Sequence, residues 1–239
     1  MARERTQRIE VEAGSFDAFV STPDSGSGPG ILLLHEIFGI AEFARAKARD
    51  LAEAGFVVLV PDLFWRIQPG FLAPDTDEGV QQGMAMANRF FAEVAPEQTR
   101  SDLSAALHHL RAMPEVSGRK VGTLGYCLGG TLAFALAVAA DPDALVSYYG
   151  SGVAGMLGEA DSVRCPALFH FGGSDPFIAG KDVAEVSNRF ADRPDAEVVV
   201  HEGGGHAFEN TFHPMFSNPE ATAESWPQTL RFLARTLEG

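Results

Sequence analysis

Cysteine is scarce in this chain, with two in 239 residues, too few for a disulfide framework. Cys165 stands before Pro166 at the head of a strand and Cys127 at a strand-to-helix turn, so no bridge between them is expected. Cys165 reads as a small buried hydrophobe. Basic residues are also few: 18 Lys and Arg against 32 Asp and Glu give a net charge of −14. Such a surface repels nucleic-acid phosphates and anionic lipid, which excludes both as expected partners. Long apolar runs are missing as well. The longest, residues 131–140, falls short of the roughly 20 residues a bilayer requires. The charged stretch 1–8 is not followed by the apolar segment of a secretory signal. A soluble, cytoplasmic protein is expected, without repeats, low-complexity tracts or an inter-domain linker.

What is present is ordinary globular material, 46% hydrophobic and 21% charged. Residues 8–12 and 16–21 read as a hairpin joined through Ala13-Gly14-Ser15. Apolar runs at 31–34, 56–60, 121–126, 144–149, 166–171 and 196–200 predict strands, and the unbroken ones predict burial on both faces of a parallel sheet. Helical spacing predicts helices over 41–54, 76–94, 97–113, 128–140, 181–192 and 224–237. His108 and His109 fall inside the third of these and are assigned to packing. Residues 63–74 read as an aromatic-rich loop and 151–160 as a glycine-rich one. The continuous alternation predicts an α/β fold over residues 1–239, a single domain built on one doubly wound, mostly parallel sheet flanked by helices.

The chemistry is expected where the strand ending at Tyr126 turns into the helix beginning at Leu128. Gly125-x-Cys127-x-Gly129 is a nucleophile elbow with a thiol at its apex. A tight strand-to-helix turn strains the apex residue and leaves no room for side chains two positions either side. The first N–H groups of the helix and its dipole face the sulfur, which favours thiolate over thiol. Ligands of open α/β sheets bind beyond the carboxyl ends of strands, and loops at those ends supply Glu36, Asp175 and His206 beside Cys127.

Nucleophile, acid and histidine follow in the chain order of the α/β-hydrolase triad. His206 would take the thiol proton, Asp175 would orient the imidazole, and the Cys127 sulfur would attack an acyl carbon. The N–H groups of Leu128 and Ile37 would form the oxyanion hole. His201 is a rival base. Glu36 is a proton acceptor or a capping or surface residue. Phe38, Trp65, Tyr149 and Phe208 are candidates for pocket walls and equally for core aromatics. A thiol redox protein and a binding protein without turnover are the rival functions. The first lacks a nearby resolving cysteine, and the second leaves the three reactive residues without a purpose.

Together, His35-Glu-Ile-Phe-Gly39, Val60-Pro-Asp-Leu63, Gly125-Tyr-Cys-Leu-Gly-Gly130, Tyr148-Tyr-Gly150, Gly172-Gly-Ser-Asp175 and Gly205-His-Ala-Phe208 resemble the dienelactone hydrolase family. The resemblance implies a triad of Cys127, Asp175 and His206, with Glu36 taking the thiol proton and moving on substrate binding. It implies hydrolysis of esters or lactones without metal or organic cofactor. The partner is then a small-molecule ester or lactone, and monomer or dimer stays open. The family's two carboxylate-binding arginines fall at Gly79 and Asn210, neither able to form a charged fork. Arg66 and Arg89 are the candidate substitutes; without one, a neutral ester or lactone is expected as substrate.

Overall fold

A computed structural model of the chain describes residues 2–238 and divides into two units, the first reaching to Val121 and the second starting at Gly122. In the first, β1 (Arg3–Val11) and β2 (Gly14–Thr22) form an antiparallel hairpin with Val11 opposite Gly14. The turn is therefore Glu12-Ala13, one residue shorter than expected. The strand β1 is also longer than its sequence suggests, because most of its residues are exposed on both faces and leave no alternating pattern to read. β2 pairs antiparallel with β4 (Val57–Pro61), which pairs parallel with β3 (Gly30–Leu34). Every residue of β3 and β4 is buried, as an apolar run covered on both faces requires.

The helices of this unit stop and start on local chemistry. α1 (Glu42–Glu53) ends where Gly55 takes φ +103°, and the Phe56 N–H closes on the Leu51 carbonyl at 3.0 Å. At the head of α2 (Asp77–Glu93) the Thr76 hydroxyl accepts the Gly79 N–H at 3.2 Å. Pro96 opens α3 (Pro96–Ala112), while the Gln98 side chain accepts the Ala95 N–H at 3.1 Å.

One buried histidine ties two loops of the unit together. The Leu63 N–H donates to His35 Nε2 at 3.2 Å, so that nitrogen carries a lone pair. The hydrogen of the neutral ring then sits on Nδ1 and is donated to the Glu36 carbonyl at 2.6 Å. The loop after β3 is thereby fastened to the loop after β4. Asp62 pinches the latter by accepting the Phe64 N–H at 3.0 Å and the Gly70 N–H at 2.7 Å.

In the second unit β5 (Val121–Tyr126), β6 (Leu145–Tyr148), β7 (Ala167–Gly172) and β8 (Ala196–His201) lie side by side in that order, all parallel. The register places Tyr126 beside Tyr148, Tyr148 beside His170 and Gly172 beside His201, so the loops after all four strands emerge at one end. α4 (Leu128–Ala140) is apolar nearly all round and correspondingly buried. α5 (Gly180–Phe190) follows β7 and α6 (Pro219–Leu237) closes the unit. The stretch expected as a glycine-rich loop contains a 3₁₀ helix, Ala154–Ser162. α6 begins at Pro219 rather than near residue 224, since the Asn218 side chain caps it by accepting the Ala221 N–H at 3.1 Å.

Candidate active site

The elbow is as tight as its glycines imply. A Cβ on Gly125 would lie 1.9 Å from the Gly129 carbonyl oxygen, and one on Gly130 would lie 2.5 Å from the Tyr148 oxygen. The turn leaves Cys127 at φ +55° and ψ −114°, a conformation costing about 1–3 kcal/mol that its surroundings must enforce. They do so through the Cys127 N–H, which donates to the Tyr148 carbonyl at 3.0 Å, and its carbonyl, which accepts the Thr131 N–H at 3.1 Å.

The acid and the histidine are delivered by two loops pressed together. A Cβ on Gly172 would come within 2.4 Å of the Gly204 oxygen, so only glycine lets the end of β7 meet the loop after β8. Backbone bonds from Ser174 N–H to Gly204 O at 2.9 Å and from Gly173 N–H to His201 O at 2.8 Å join the two. Across this junction His206 Nδ1 lies 2.8 Å from Asp175 Oδ2, and His206 Nε2 lies 3.0 Å from Cys127 Sγ. The Asp175 side chain is wholly buried, and its other oxygen accepts the Phe177 N–H at 2.8 Å. With Nδ1–H committed to the carboxylate, Nε2 is the nitrogen free to exchange a proton with sulfur.

Electrostatics favour the charged form of the imidazole. Burial alone would lower the His206 imidazole, but the negative charge at Cys127 and the hydrogen bonds to Asp175 and Cys127 outweigh it and raise its pKa to about 10. An imidazole between a sulfur and a carboxylate can accept a proton from the one while the other supports the charge, and can pass that proton on to a leaving group. At Cys165 burial pushes the thiol up to about 12. Iodoacetamide should therefore alkylate Cys127 about 100-fold faster than Cys165, as read by peptide mass spectrometry; equal labelling would mean that Cys127 is not activated.

The rival histidine is turned elsewhere. His201 points Nε2 at His170 Nδ1, 3.0 Å away, and Nδ1 at Glu224, 3.5 Å away. Tyr149 and Phe208, candidates for pocket walls, have no exposed surface. The Tyr149 ring packs on the His206 imidazole with centroids 5.3 Å apart, and Phe208 packs on Tyr149 at the same distance. They back the His206 imidazole instead of lining open space. An aromatic that the sequence reading passed over is Phe177, 63% exposed and edge-on to His206 at 5.1 Å. Its signal was the Asp175-Pro176-Phe177 turn, in which an aspartate side chain accepts the N–H two residues on and brings that residue alongside.

A family model, described as the dienelactone hydrolase family, matches residues 16–237. The chain belongs to the dienelactone hydrolase family. A carboxymethylenebutenolidase of a Pseudomonas species is 35% identical over 234 residues, covering 96% of this chain and 95% of that one. One of Pseudomonas putida is 35% identical over 209 residues, covering 86% and 87%. A solved structure of a putative dienelactone hydrolase from Klebsiella pneumoniae superposes with a TM-score of 0.85 at 20% identity, covering 98% of this chain and 99% of that one. The α/β fold with one mostly parallel, helix-flanked sheet is thus that of the family, and the protein is a hydrolase of ester bonds. Among the described residues no helix is long and apolar enough to cross a membrane.

The first unit holds the remaining candidates of this dienelactone hydrolase relative. Glu36, Ile37 and Phe38 are buried in the loop after β3. The backbone of α2 abuts that loop, since a Cβ on Gly83 would lie 2.9 Å from the Ile37 oxygen. Trp65 stacks on Phe16 at 5.5 Å and donates its indole N–H to Asp102 at 2.9 Å. Both candidate replacements for the family's arginines are spent. Arg66 is held by Asp102 in a fork of 2.7 and 2.8 Å, and Arg89 by Glu93 at 2.8 Å. Nor is there space at Gly79, where a Cβ would sit 1.7 Å from the Pro74 oxygen. Asn210 is fully buried, its side-chain oxygen accepting the Phe212 N–H at 3.1 Å.

Proposed function

We propose that the protein hydrolyses neutral carboxylic esters or lactones through a thioacyl-enzyme on Cys127, with His206 and Asp175 completing the triad. The observation that carries this reading is the single imidazole bridging Sγ at 3.0 Å and a buried carboxylate at 2.8 Å. His206 takes the Cys127 proton, and the sulfur bonds to the acyl carbon as the carbonyl π pair moves onto oxygen. Collapse breaks the bond to the leaving oxygen, which takes its proton from His206 Nε2. Water then gives a proton to His206 and attacks the thioester, the C–S bond breaks, and thiolate and carboxylic acid are released.

Leu128, the first residue of α4, offers its N–H to the oxyanion. Family resemblance assigns the second donor to Ile37, the part of a mobile proton acceptor to Glu36, and pocket-wall contacts to Phe38 and Trp65. The preference for a neutral substrate follows from the missing cation: Gly79 and Asn210 cannot supply one, and Arg66 and Arg89 are engaged. The test is a comparison of p-nitrophenyl acetate with a dienelactone that carries a free carboxylate. A burst of p-nitrophenol with an acetyl group on the Cys127 peptide is expected. kcat/KM for the carboxylated lactone should be lower by about 100-fold, the value of a lost charged fork. No acetyl adduct in the burst would end the thioacyl reading, and efficient turnover of the carboxylated lactone would end the neutral-substrate one.

A further inference from the structure

Behind the triad, in the second unit, runs a buried chain of polar side chains that the reaction does not use. His201 Nδ1 is 3.5 Å from Glu224, whose carboxylate can only accept, so the hydrogen lies on Nδ1 and His201 Nε2 bears a lone pair. His170 Nδ1, 3.0 Å from that lone pair, must donate. His170 Nε2 then accepts the Thr229 hydroxyl at 3.0 Å, and the Thr229 oxygen accepts the Tyr148 hydroxyl at 2.6 Å. Each contact has one hydrogen and all point the same way. Burial lowers both histidines, and in His170 the neighbouring His201 lowers it further, so the rings are neutral as this pattern demands. Glu224 is the exposed end; His170, His201, Thr229 and Tyr148 are buried.

The chain ends on a dipeptide to which both reacting groups are attached. The Tyr148 carbonyl accepts the Cys127 N–H at 3.0 Å, fixing the strained elbow. The Tyr149 N–H donates to the His170 carbonyl at 2.7 Å, and its ring packs on His206 at 5.3 Å. Tyr149 itself sits at φ +39°, a conformation that a tyrosine leaves unless held. The hold is on its neighbour: the Tyr148 ring is clamped between Tyr126 at 4.7 Å and His170 at 4.4 Å, with its hydroxyl anchored to α6 through Thr229 and Ser225.

We infer that Thr229 and Tyr148 are positioning residues for the Cys127–His206 pair, fixing the Tyr148–Tyr149 peptide from which both reacting groups are oriented. This rests on the reading of that pair as the nucleophile and base. Thr229→Val keeps the shape and removes the hydroxyl, so that the clamped Tyr148 ring loses one of the two hydroxyl ties that set its position along α6. With p-nitrophenyl acetate, kcat should fall about 10-fold while KM stays within about 2-fold, the pattern of a lost alignment and not of lost binding. Thr229→Ser should restore kcat to within about 2-fold of wild type. The downfield proton NMR signal of His206 Nδ1–H on Asp175 should shift in Thr229→Val and return in Thr229→Ser.

Tyr148→Phe deletes one hydroxyl at the other end of the same bond and serves if Thr229→Val does not fold; the same fall in kcat is expected. A wild-type kcat and an unmoved signal in Thr229→Val or Tyr148→Phe, in an enzyme that Cys127→Ala inactivates, would overturn this inference alone. Full activity in Cys127→Ala would overturn the underlying reading and this inference with it.

Discussion

Cys127→Ala should lower kcat for p-nitrophenyl acetate by about 10⁴-fold, to a residue of activity that donors and binding alone can support. The reason is chemical: the sequence has one other cysteine, Cys165, which is buried on the approach to β7 with its pKa pushed up to about 12. His206→Ala should cost a similar factor, and the double variant should be no worse than either single one, as the proposed pairing of sulfur and imidazole across 3.0 Å requires. Asp175→Asn should cost about 10³-fold by another route. An amide N–H facing Nδ1 selects the tautomer with its hydrogen on Nε2, which then has no lone pair for the thiol proton. Initial rates, with circular dichroism to verify folding, check all four variants. A Cys127→Ala enzyme with wild-type turnover would remove the sulfur from the mechanism.

The elbow was legible in the sequence because its steric demand is written in residue type: Gly125 admits the Gly129 carbonyl at a distance no side chain tolerates. That His206, and not His201, meets the Cys127 sulfur was legible only as a preference. One ends β8 and the other follows it, and what separates them is the glycine run, where Gly203 takes φ +78° and Gly204 meets Gly172, letting the chain double back toward the sulfur. The polar chain behind the site was not legible. His170 reads as one more residue of an apolar strand, and its partner Thr229 comes from α6, 59 residues away, so no local pattern links them. The 3₁₀ helix was missed because Gly155 and Gly158 suggest a loop, whereas i to i+3 bonds such as Met156 N–H to Val153 O, 3.0 Å, need no helix-favouring side chains. The start of α6 was missed because Pro227 looks like a breaker near the expected first turn. It lies on the exposed face, where the helix can bend to accommodate it.

Stability should fall steeply as the solution is acidified, well before the carboxylates protonate. His35 is wholly buried, and burial lowers it to about 4 although the Glu36 carbonyl, its hydrogen-bond acceptor, opposes the shift. Below about pH 6.5 the unfolded chain binds a proton that the folded ring refuses until about pH 4. The unfolded state therefore gains protons first, and stability present above pH 6.5 is lost as pH falls across that window, by about 3 kcal/mol for this one residue. His170, also lowered by burial, acts in the same direction. His206 does not offset them: with its folded pKa raised to about 10, its contribution is complete below pH 6.5 and is lost only as pH rises toward 10. Urea unfolding from about pH 7 to about pH 5 should show this loss, and His35→Gln should flatten the slope by about 1.4 kcal/mol per pH unit. The variant should also start lower at pH 7, because the bonds to Leu63 N–H and Glu36 O that join the two loops are gone. An unchanged slope in His35→Gln would mean that the ring is already free to protonate, and that a lone pair on Nε2 does not fasten the loop after β4.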